Sequence, residues 1–76
     1  MDNALWREVY NIVAEYSPKV AALPIGSDEM AALWGDIMKD ITRAQANNPE
    51  RWPLCFAAIT MLENIIHKRK GEPLTA

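Results

Sequence analysis

From Pro53 to Lys70 the sequence reads PLCFAAITMLENIIHKRK, a run that fits one apolar helix with a defined stop. Leu54, Ala58, Met61, Leu62 and Ile65 fall at helical spacing and share a face. Cys55, Ile59 and Ile66 widen that face beyond a narrow stripe. His67, Lys68, Arg69 and Lys70 put positive charge on the last turn, where the helix dipole favours it, and Gly71 then supplies a stop. A helix so apolar must be covered. The reading is therefore that this last helix is the core and that the preceding segments are built to cover it.

Those segments also read as helices. Asp2 or Asn3 can cap a first one. Leu5, Val9, Ile12, Val13 and Tyr16 then line one face, which Trp6 and Tyr10 broaden. Ser17-Pro18 predicts an interruption, because Pro lacks a backbone donor and disfavours a helical residue before it. A single extra turn over 18–23 is allowed. Pro24-Ile25-Gly26 is a connector, and Ser27 caps the next helix with Asp28 and Glu29 in its first turn. Met30, Leu33, Trp34, Ile37, Ile41 and Ala44 carry its apolar face. Ala31 and Gly35 predict a close approach to Ala57 and Ala58 of the last helix, since Gly inside a helix costs about 1 kcal/mol and calls for a compensating contact.

A second connector runs from Asn47 to Pro53, with either a single turn starting at Pro49 or irregular backbone. The tail after Gly71 has no pattern and is expected to be loose. No window alternates with period two, so no strand is expected. The predicted fold is one all-α domain, a small three-helix bundle over about residues 3–16, 28–46 and 53–70, with sequence neighbours antiparallel.

Size limits what such a bundle can do alone. The chain has 76 residues, of which 50% are hydrophobic. Below about 70–80 residues a single core rarely supplies more than about 3–5 kcal/mol, and small domains lean on disulfides, metals or partners. One Cys excludes an internal disulfide, and Cys55 with His67 makes no zinc set by itself. No cofactor or metal is expected. Cys55 reads as a small buried hydrophobe, with no base at helical spacing to activate it. Glu63 and His67 are four apart, a pair that reads as a solvated helix end. No catalytic group stands out, so the chain is read as a non-enzyme.

A net charge of −2 disfavours nucleic acid as a partner, since that affinity rests on a basic surface. The last helix also lacks a polar recognition face, and its basic group sits at its far end. A compact helical DNA-binding regulator remains the alternative of a different class. No stretch reaches the roughly 20 apolar residues of a membrane span. A lone Cys with no targeting segment fits a reducing, cytoplasmic location.

What remains is association. Phe56 points away from the apolar face of the last helix, with Trp52 and Ile59 on the same flank and Glu63 beyond. That flank is either an interface or is covered by the first helix. Asp36 and Asp40, interleaved with Lys39 and Arg43, form a candidate charged contact. The expected function is a protein-binding module, an inhibitor or accessory subunit that covers or joins a partner surface. Its partner is another protein or a second copy, a homodimer. Small proteins of this style include those carried by bacterial viruses.

Overall fold

The structure, a computed structural model, describes residues 3–46 and 52–73, and the side chains of 6–46 and 53–73. It is a three-helix bundle: α1 is Asn3–Ala22, α2 is Asp28–Ala46 and α3 is Trp52–Lys70. No strand occurs among the described residues. The connector before α3, the cap at Asp2 and the last three residues lie outside them.

The α1 helix differs from expectation. It runs unbroken through Ser17 and Pro18. Pro18 offers no N–H to the carbonyl of Ala14, and the Ser17 hydroxyl beside it donates to a different carbonyl, that of Val13, at 2.6 Å. Tertiary packing carries the helix past this point. Val20, two residues beyond, is fully buried, and the buried stripe Val9, Ile12, Tyr16, Val20 continues without a break. Burying such a side chain is worth about 1.5–3 kcal/mol, the size of the proline penalty.

The start of α2 and the stop of α3 follow their local chemistry. The Ser27 hydroxyl accepts from the Met30 N–H at 3.1 Å, an N-cap bond to the third helical residue. Gly26 turns into it with φ at 81°. At the end of α3, Gly71 has φ at 75°, its N–H donates to the Lys68 carbonyl at 3.1 Å, and the Glu72 N–H donates to the His67 carbonyl at 2.8 Å. This is a complete Schellman stop. It fixes Glu72, whose carboxylate also lies 3.4 Å from His67 Nδ1 and 4.0 Å from Lys70 Nζ. The tail is thus tied down at its first residues.

The core is a single cluster. Val9, Ile12, Tyr16 and Val20 meet Met30, Leu33, Ile37, Ile41 and Ala44 of α2 and Cys55, Ala58 and Leu62 of α3. No buried residue in it is charged. The Tyr16 hydroxyl leaves the core at its edge and donates to Asp40 Oδ2 at 2.6 Å. The element that organises the bundle is α1 and not α3: both other helices pack mainly on α1 and only lightly on each other. By running on through Pro18, α1 gains the length to hold both. The small-residue contact expected between α2 and α3 is absent as well. Gly35 is exposed, and a Cβ there would meet no atom within 4 Å.

Contacts at both ends show that α1 and α3 run in the same direction. Trp6 and Val13 of α1 share a groove with Leu54 and Met61 of α3. At the other end Arg69 Nη1 donates to the Val20 carbonyl at 2.7 Å. The Cα envelope measures 35 × 25 × 17 Å, thin for helices about 10–12 Å across. A slab of this kind leaves each helix a broad solvent face.

Candidate interaction surfaces

The residues singled out from sequence are spread over three places. Phe56 is 58% exposed, so α1 does not cover it. Glu63 is also exposed, whereas Ile59 is half-buried and packs against the core. The Trp52 side chain lies outside the described residues. The flank is therefore narrower than its helical wheel implies. On α2, Asp36 is exposed, but Asp40 is engaged within the bundle. It accepts the Tyr16 hydrogen bond and sits 3.6 Å from Arg43. The exposed Arg43 pair adds little. The Tyr16 contact matters more, since its hydrogen bond to Asp40, then burial, then the charges of Asp40, Glu15 and Asp36 raise the Tyr16 pKa to about 12.

His67 faces Glu72 rather than Glu63. Cys55 is fully buried. Among the described residues no group of three or more His, Cys, Asp or Glu could hold a metal ion. No helix there is long and apolar enough to cross a membrane.

A further concentration of unspent apolar surface lies elsewhere. Between the N-terminal halves of α1 and α3 runs a groove of about 200 Å³. Trp6, Val9, Tyr10 and Val13 form one wall, and Leu54, Ala57, Ala58 and Met61 form the other. Its floor is small because Ala57 and Ala58 bring little side chain between the helices. Its rim is large because Trp6, Tyr10 and Met61 stand up to solvent, 49%, 66% and 56% exposed. The wheel of α3 places Met61 among the core residues, yet among the described residues no neighbour covers it.

The sequence held a signal for this groove. Trp6 and Tyr10 widen the apolar stripe of α1 beyond what two neighbouring helices can cover. Reading Ala57 and Ala58 as partners of α2 hid it. They face α1 and the groove instead. A wider, more open depression follows the outer face of α2, past Gly35, Met38, Thr42 and Ala46, with Lys39 and Arg43 beside it.

No protein-family model, curated protein or solved structure matches the chain.

Proposed function

We propose that this chain is a non-enzymatic protein-binding module, which acts as an inhibitor or accessory subunit by covering or joining a partner surface. The observation that carries the reading is the apolar α1/α3 groove with its exposed rim of Trp6, Tyr10 and Met61. Large aromatics with one polar end dominate binding energetics at interfaces. A groove lined by eight side chains without a charged group favours binding through water exclusion over bond-making chemistry. Phe56 offers a second contact. It lies five residues from Met61, so the two project about 140° apart around α3 at 100° per residue. A module with apolar contacts on two sides of one helix suits joining as well as covering.

The test compares the wild type with a Trp6→Ser/Met61→Ser variant. Each is immobilised, the captured host protein is identified, and the complex is rebuilt from purified components. Retained helicity with lost capture and lost reconstitution is the expected result. Equal binding by both proteins, or a monomeric wild type that binds no protein, would sink the proposal.

A further inference from the structure

The charges around the groove favour one kind of occupant. Arg7 follows Trp6 and borders the α1 wall; Lys68 lies two turns beyond Met61 on the same side of α3. Both are exposed, and among the described residues neither has an ion-pair partner. The other members of the basic group on α3 are engaged, Arg69 by Val20 and both His67 and Lys70 by Glu72. The described acids lie away from this face. Glu8 and Glu15 fall on the opposite flank of α1 and Glu63 on the opposite flank of α3, four more are on α2, and Glu72 is taken up by His67 and Lys70. A chain of net charge −2 thus places one exposed cation beside the groove and another two turns past its far end.

Resting on the protein-binding reading, we infer that the groove receives an amphipathic helix of another protein, apolar on one face and acidic along its edges. Such a helix would lie alongside α1 and α3 and complete a four-helix arrangement. The Val20–Arg69 contact sets the level of the two helices, so Arg7 and Lys68 stand about 12 residues apart along the axis, or about 18 Å at 1.5 Å per residue. A partner helix of about four turns reaches both. The same charges disfavour a second copy. A two-fold contact sets the same patch against itself, and here it would bring two Arg7 and two Lys68 together with no acid on that face, among the described residues, to offset them.

The probe is a displayed library of helical peptides of about 16 residues, long enough to span that distance. Each carries a fixed apolar stripe, and its flanking positions are drawn from Glu, Gln and Lys. Selection on the wild-type protein should enrich Glu flanks. Selection on a folded Arg7→Glu/Lys68→Glu variant should enrich Lys flanks. The best Glu-flanked peptide should bind that variant about tenfold or more weakly, and its hold on the wild type should loosen at high salt. Perturbed signals of the Trp6 indole and Met61 methyl would place the peptide in the groove. Enrichment regardless of flank charge overturns the inference and leaves the protein-binding reading standing. No enrichment on the wild type overturns it too, as does a wild-type dimer that Trp6→Ser dissociates.

Discussion

The Arg69 guanidinium donates to the main-chain carbonyl of Val20 at 2.7 Å, so the last turn of α3 caps the last turn of α1. The final carbonyls of a helix have no partner within it. Here the Leu23 N–H takes that of Lys19 at 3.0 Å, and Arg69 takes the next. Helix termini that would otherwise fray separately are thereby joined across the bundle. Arg69→Met keeps much of the side-chain packing and removes the donor. It should lower stability by about 1 kcal/mol, the scale of one partly exposed hydrogen bond. Lys68→Met, its exposed neighbour, should change little. Urea melts of the two variants decide between them.

Tyr16 carries the second cross-helix bond, and its effect depends on pH. Its folded pKa of about 12 lies above the ordinary 10.0, because the neutral hydroxyl donates to Asp40. The contribution is complete below pH 10. Above that the unfolded chain loses the proton first, so stability falls as pH rises and the contribution is gone above about 12. Tyr16→Phe should cost about 1–2 kcal/mol at neutral pH. It should also flatten the decline between pH 10 and 12 that the wild type shows in melts over that range.

The Ser17-Pro18 step is a place where α1 is held against its local preference. Pro18→Ala returns an N–H to the Ala14 carbonyl, at an exposed position where no packing is lost. A helix-interior Pro costs about 3 kcal/mol relative to Ala, less the roughly 1 kcal/mol that Pro saves by restricting the unfolded chain. The variant should therefore be more stable by about 1–2 kcal/mol. A loss of stability would show that the backbone shape Pro18 imposes is needed to seat Val20 and Arg69.

These residues also mark how far the sequence speaks. Ser27 and Gly71 could be read directly, because caps are local chemistry, and the stripe of α2 from Met30 to Ala44 keeps its helical period without interruption. Pro18 misled because burial of Val20, a tertiary effect, decides whether the chain tolerates it. Gly35 misled for the complementary reason: a missing side chain looks the same in sequence whether a neighbour fills the space or water does. The direction of Phe56, away from the apolar face of α3, was legible because its angle depends only on local geometry; whether α1 reached round to cover it was not. The groove was not, since a wheel shows which side chains share a face and not where the neighbouring helices stop.

Gly35 gives a short test of that last point. With no atom within 4 Å of a Cβ, Gly35→Ala meets no obstacle and gains helix propensity. It should stabilise the protein by up to about 1 kcal/mol. A destabilised variant would mean that the outer face of α2 is covered in solution, and sedimentation would then show an assembly.

The two apolar faces of α3 make separable predictions. Trp6→Ser removes the rim of the groove, and Phe56→Ser removes the aromatic on the other side. Both side chains are about half exposed or more, so neither change should cost the fold more than about 1 kcal/mol, and circular dichroism should be unchanged. Leu62→Ala is the contrast: fully buried, it should cost about 2–5 kcal/mol and leave little stability in a domain of this size. Against that background, loss of partner binding in Trp6→Ser alone assigns the contact to the groove. Loss in Phe56→Ser alone moves it to the opposite flank. Loss in both means that α3 is gripped from two sides and that the module joins two surfaces. Large aromatics at the centre of such contacts cost about 2 kcal/mol or more when truncated, roughly a thirtyfold change in affinity that titration calorimetry reads easily. Unchanged affinity in both variants would leave neither face as the interface.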